Sequence, residues 1–352
     1  MGGIVKCVAV VVLLLAVVAM AGCGDDANQE EGLAANVLAF LDGWATPIGE
    51  DRHAATGFPL RILRSRDEAE MVLVPGGRFQ MGAVPQDKTA LDDEKPRHAV
   101  VVAPFYMDLN EVTRGQFAMF VEATEYVTEV EKIGKGGYAI GRPPEPMGEF
   151  GHNWRSSLHG GELPYAPDDH PVTQVNWRDA TAYARWAGVV LPCEDQFEFV
   201  LRRGKEGLIY PWGNELAVDP ARANLAGEEL IRRYPGFKKY DPEGSQFVRG
   251  HEDPFPWTAP VRSFAPDYFG LYDISGNVSE WCKDAFLYYD DPDEVVDPEE
   301  VSRVMRGGSW RSHHGRVRCS WRTSADPQYA RDYWGFRCAK PLPEPEDEAD
   351  KR

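Results

Sequence analysis

The chain has 352 residues, a formal charge of −18, and 43 % hydrophobic and 11 % aromatic residues. That is ample material for one large core or two small ones. So large an excess of acid argues against nucleic acid and anionic lipid headgroups as partners, and it favours solubility and divalent-cation binding.

The amino terminus reads as a targeting segment. Lys6 precedes a Val/Leu/Ala run from Cys7 to Ala19, and Ala21-Gly22 lead into Cys23. This order resembles a bacterial lipobox: a signal peptide 1–22 is removed and Cys23 is lipidated. Two or more acyl chains make a stable membrane anchor, because each buried CH₂ contributes roughly 0.8 kcal/mol. An uncleaved membrane helix is the alternative, since the run approaches the ~18–20 residues needed to span. Either reading puts the rest of the chain outside the cytoplasm of a bacterial cell, on the periplasmic or surface side of its envelope.

Residues 23–70 are expected to form the lipidated cysteine, an acidic tether and an N-terminal arm. One short helix is expected from Leu33 to Trp44, then a linker or loose arm from Thr46 to Asp67, where Pro, Gly and Arg are scattered. The compact domain is expected over 71–340. Met71 to Val74, a Pro75-Gly76-Gly77 turn and Arg78 to Gly82 predict two strands, and Val100–Val102 and Phe105–Asp108 predict two more. Thr113 with Gln116 three residues on forms a capping-box pattern before Phe117, Phe120 and Val121. Glu131 to Asp169 reads as a long irregular loop. A helix is predicted from Arg178 to Ala187, ended by Gly188, and another begins near Glu194 with Phe197, Val200 and Leu201 facing inward. Ala221 to Phe255 reads as loop-rich, and the last third as short strands between loops. The tail 341–352 is rich in Pro and acid and reads as disordered.

Short elements, ten Trp and abundant Gly and Pro suggest one irregular α+β domain. Gly270-Leu271-Tyr272-Asp273, Gly276-Asn277-Val278-Ser279-Glu280-Trp281, Arg306-Gly307-Gly308-Ser309-Trp310 and Gly335-Phe336-Arg337-Cys338 stand in order. With His170-Pro171-Val172, Leu191-Pro192 and Pro211-Trp212-Gly213-Asn214, they closely resemble the formylglycine-generating-enzyme, or sulfatase-modifying-factor, domain. The resemblance implies a loop-rich, C-type-lectin-like fold over about Met71 to Lys340.

The family's copper enzymes carry two cysteines after this RGGS motif. The first position falls on Ser312, and the second falls in His313 to Arg318, which looks shortened and has no cysteine. Cu(I) favours soft thiolates, so copper and formylglycine chemistry are not expected. The groove candidates are Ser309, Trp310, Ser312 and His313. Iron held by His and a carboxylate is the alternative cofactor, with His152, His159, His170 and Asp332 as further candidates. The resemblance also implies two structural calcium sites. One would use Asp273, Gly276, Val278 and Glu280; the other would use Asn224, Leu225, Asp253 and Phe255. Oxygen ligands of this kind suit Ca²⁺.

With Cys7 removed and Cys23 lipidated, Cys193, Cys282, Cys319 and Cys338 remain, and three pairings are open. Cys319 and Cys338 match disulfide positions of the family, whose partner positions are Ala184 and Leu201 here. The expectation that follows is Cys282 with Cys319 and Cys193 with Cys338. Motifs of hydrolases and nucleotide-binding proteins are absent. Two readings remain. One is a calcium-stabilised binding or scaffold lipoprotein that takes a peptide, protein or small molecule. The other is a divergent non-haem metal oxidoreductase of exported peptides or small molecules.

Overall fold

The computed structural model describes residues 34–134, 137–139, 149–156, 167–216, 219, 221–236, 247–291, 294–298 and 300–343. Cys7, Cys23 and His159 lie outside them. Among the described residues no helix is long and apolar enough to cross a membrane.

A first sheet has the order β1-β2-β3-β6-β13. Its strands are β1 (Ala45–Pro47), β2 (Arg61–Arg64), β3 (Glu70–Val74), β6 (Phe105–Asp108) and β13 (Ala339–Pro341), every neighbour antiparallel. The expected loose arm is therefore corrected. Residues 45–64 supply two strands of the main sheet, behind a helix α1 at 34–41. Phe58 and Ile62 are buried in the core with Val37 and Leu41. Arg64 hid this from the sequence, because an arginine in a strand suggests solvent. Here it is fully buried between Asp67 (Nε–Oδ1 2.7 Å) and Asp108 (Nη1–Oδ1 2.8 Å). The tail expectation is corrected at its start too, since Pro341 pairs with Phe105.

The expected strands β4 (Gly77–Met81) and β5 (His98–Val102) form and pair with each other, so the Pro-Gly-Gly turn leads from β3 into a separate two-stranded sheet. Helix α2 (Arg114–Thr124) starts at the predicted capping box. Gln116 N donates to Thr113 Oγ1, and Thr113 N donates to Gln116 Oε1. The span read as irregular loop holds α3 (Glu129–Ile133) and the pair β7 (Gly137–Ala139) with β8 (Glu149–His152). Helix α4 (Trp177–Ala187) is capped by Asn176 and closed by Gly188, and α5 (Glu194–Leu201) follows. A further helix, α6 (Glu228–Arg233), lies in the stretch read as loop.

The second sheet, β11-β10-β9-β12, is built from β9 (Ser279–Ala285), β10 (Arg303–Arg306), β11 (Thr323–Ala325) and β12 (Trp334–Gly335). It packs into two apolar clusters. Phe117, Phe120, Tyr183, Trp281 and Phe336 centre one; Phe79, Phe105, Phe197, Leu271 and Val304 centre the other. Each fully buried Phe contributes roughly 1.5–3 kcal/mol, so these clusters hold the long loops in place. A third cluster, with Leu230, Tyr234, Trp257 and Trp310, sits beneath the loops after β10.

Candidate functional site

Arg306 ends β10, and its guanidinium is fully buried. It donates to Glu198 Oε2 at 2.6 Å, to Cys319 O at 2.7 Å and to Ser320 O at 3.1 Å. One side chain thus locks α5 to the stretch that follows the RGGS motif. Arg318 does likewise through Glu94, at 2.6 Å on both Nη atoms. Gly308 has φ +76, and a Cβ there would lie 2.6 Å from Val317 Cγ1. Glycine is what allows the chain to fold back on itself at this point.

The fold-back makes a cavity of about 490 Å³. Ser309, Ser312, Ser279, Thr323, Ser324 and Trp334 line it, together with Arg311 and Arg316. Ser309 and Ser312 sit side by side, Oγ to Oγ 3.5 Å, and Ser309 N donates to Ser312 Oγ at 3.0 Å. Of the four groove candidates, Ser309 and Ser312 line this cavity. Trp310 is not on the cavity wall. It is buried below, with Nε1 donating to Asp332 O. His313 does not line the cavity either; its Nδ1 accepts from Gly315 N at 3.1 Å and caps a short turn. Arg311 and Arg316 were missed in the sequence.

The four described cysteines are free thiols, so neither expected disulfide is present. Cys319 shares a cluster with Cys282, but its Sγ donates to Leu201 O at 3.4 Å, and Cys338 belongs to the other cluster. Burial pushes the Cys319 thiol up to about 12. Thiolate copper chemistry does not fit these donors: a serine hydroxyl stands at 312, and the following cysteine is buried, protonated and off the cavity wall. Among the described residues no three His, Cys, Asp or Glu side chains come together as a metal-binding set. His170 Nδ1 instead bonds Thr258 Oγ1 at 2.9 Å, and Asp332 is buried under the groove.

The two calcium corners differ in fit. At one, Asn224 Nδ2 donates to Trp257 O at 2.6 Å, which leaves the buried Asn224 Oδ1 without a partner. Asp253 Oδ2 meets His251 Nε2 at 3.1 Å, Asp253 Oδ1 accepts from Phe255 N, and the nearby Glu229 has an unpartnered Oε2. Asn224 Oδ1 is a hard oxygen that suits Ca²⁺ beside the other expected ligands, Asp253 and the carbonyls of Leu225 and Phe255, and Glu229 Oε2 is a further one that was missed in the sequence. At the other corner, Asp273 Oδ1 is buried and unpartnered, but both Glu280 oxygens are taken by Arg337. A cation beside the carbonyls of Gly276 and Val278 would therefore share Glu280 with the Arg337 guanidinium. Glu111 was missed: it is fully buried with neither oxygen partnered. Burial pushes its carboxyl well above the usual range, and Asp273 adds to the shift. Burial likewise raises Asp273 to about 6. Gly276, φ +88, joins the two corners, because a Cβ there would lie 2.3 Å from Asn224 O.

Residues 61–342 match the model of the sulfatase-modifying factor enzyme 1-like domain. The chain belongs to the formylglycine-generating-enzyme family. It is 36 % identical over 312 residues to the formylglycine-generating enzyme of Streptomyces coelicolor, covering 81 % of this chain and 94 % of that protein. It is 33 % identical over 290 residues to the inactive C-alpha-formylglycine-generating enzyme 2 of Bos taurus, covering 76 % and 87 %. Among solved structures it is similar to PvdO from Pseudomonas aeruginosa, with TM-score 0.57 and 26 % identity over 79 % of this chain and 96 % of that one. The fold is accordingly the α+β, loop-rich, C-type-lectin-like fold of the formylglycine-generating-enzyme family.

Proposed function

We propose that this chain is a lipid-anchored envelope protein that keeps the family groove for ligand binding and has given up thiol-based oxidation. The observation that carries the reading is the Ser309–Ser312 pair on the cavity wall, with Cys319 buried behind it and its thiol raised to about 12. A groove that is shaped but lacks a thiolate can hold a peptide or small molecule without presenting Cu(I) to it. The inactive bovine relative, by its name, supports loss of activity within the family. Calcium at the Asn224–Asp253 corner would stabilise the loops that build the groove. Acylation at Cys23 would hold the domain at the membrane.

The test is to load the full chain with copper and incubate it with a cysteine peptide of the sulfatase type. No aldehyde product is expected. Aldehyde formation that depends on Cys319 would overturn the reading. Intact mass of the native protein should show acyl chains on Cys23, and an unmodified Cys23 would remove the anchor.

A further inference from the structure

We propose that the groove beside Ser309 and Ser312 receives ligands bearing a carboxylate or comparable oxyanion, a proposal that rests on the groove-binding reading above. Acid is plentiful in this chain, with 56 Asp and Glu against 38 Lys and Arg. The buried arginines of the last third of the chain each take some of it: Arg306 pairs with Glu198, Arg318 with Glu94, Arg322 with Glu194, and Arg337 with Glu280. Arg311 and Arg316 line the cavity, yet neither makes an ion pair with a described residue, and no carboxylate is among the described lining residues. Arg311 instead lies over the rings of Tyr333, at 4.8 Å, and Trp310, at 5.7 Å. Stacking of this kind holds the guanidinium at the wall while its N–H edge stays available.

The hydroxyls complete the argument. Ser312 Oγ already accepts from Ser309 N, and Ser309 Oγ accepts from Arg311 N at 3.3 Å. The two hydroxyls also share a bond at 3.5 Å, which uses one O–H and leaves the other to give. The wall therefore offers a ligand mostly donors: two guanidinium forks and one serine O–H group. An acceptor-only group such as an ionised carboxylate is its complement. Trp334 and Tyr333 supply apolar faces beside it, and about 490 Å³ admits a ligand of a few residues.

Two acetylated, amidated pentapeptides serve as probes for the full chain, Gly-Asp-Ala-Glu-Gly and its amide counterpart Gly-Asn-Ala-Gln-Gly. Calorimetry with tryptophan fluorescence should show the acidic peptide binding about tenfold tighter or more. The preference should vanish in Arg311→Ala/Arg316→Ala while melting temperature stays unchanged, since both side chains are at least partly exposed. Arg311→Lys should keep part of it. Equal affinity for the two peptides, or an undiminished preference in the double variant, overturns the oxyanion proposal and leaves the groove a binding site. Saturable binding of neither peptide overturns both.

Discussion

Glu280 and Arg337 meet as a two-pronged pair in the interior, Nε to Oε2 at 2.7 Å and Nη2 to Oε1 at 2.8 Å, with neither side chain exposed. The same Nη2 also donates to Tyr272 O at 3.0 Å. The pair therefore fastens β9, the Gly-Leu-Tyr-Asp loop and the segment before β13 to one another. Removing one member of such a pair leaves the other charge buried and unmatched. Glu280→Ala should cost about 3–5 kcal/mol, read as a lower urea midpoint at unchanged slope. A loss below about 1 kcal/mol would mean the pair is hydrated in solution.

Calcium dependence separates the two corners. If the cation binds only the native state, a hundredfold excess over Kd adds roughly 2.7 kcal/mol. EGTA should lower the melting temperature of the wild type. Asn224→Ala and Asp253→Asn should remove most of that response, because Asn224 carries a buried Oδ1 with no protein partner. Glu280→Gln should keep more of it, since the buried Arg337 charge already offsets the Glu280 carboxylate that a cation would need. A melt that ignores EGTA would dispose of the calcium proposal.

Asp179 offers a pH test away from both corners. It is fully buried in the α4 capping box and accepts from Glu129 N, Asn176 N and the Tyr126 hydroxyl. Burial outweighs those bonds and raises its carboxyl to about 6. The folded state therefore holds a proton that the unfolded chain releases near 4, so this group's contribution is greatest at low pH and declines between pH ~4 and ~6. Across that window the decline amounts to at most about 3 kcal/mol. In Asp179→Asn the stability curve should lose this downward component. An unchanged pH profile would show that Asp179 ionises normally in the folded protein.

What the sequence disclosed was local. The Thr113–Gln116 box, the Asn176 cap and the Gly188 stop depend on residues three or four apart, and their spacing alone points to them. What it concealed was pairing at long range. Arg318 finds Glu94 across 224 positions and Arg322 finds Glu194 across 128. Each of these side chains, read alone, belongs at the surface. The same blindness turned 45–64 into an arm, because Arg64 is buried by virtue of Asp67 and Asp108. It also hid Glu111, an acid between Asn110 and Val112 with nothing local to mark it as interior. The cysteine count misled in the opposite direction: an even number suggested bridges where the fold leaves four free thiols, three of them buried and Cys193 half-buried.

Ser312→Cys tests how much of the lost chemistry one residue accounts for. The new thiol would stand on the cavity wall beside Ser309, where a reagent can reach it. The native thiols are protected. Cys282, Cys319 and Cys338 are buried, and burial pushes Cys193 up to about 12. Brief alkylation of the folded variant should label about one thiol, against almost none in the wild type. Cys193, Cys282, Cys319 and Cys338 should all react once the chain is denatured. One accessible thiolate still cannot provide the two-thiolate seat that Cu(I) prefers, because Cys319 remains buried and hydrogen-bonded to Leu201 O. Copper should therefore bind the variant only weakly, and no aldehyde should form on a cysteine peptide. Tight copper binding with turnover in Ser312→Cys, lost again when Cys319 is changed to Ala, would show that Cys319 can swing into the groove. The binding-only reading would then fail.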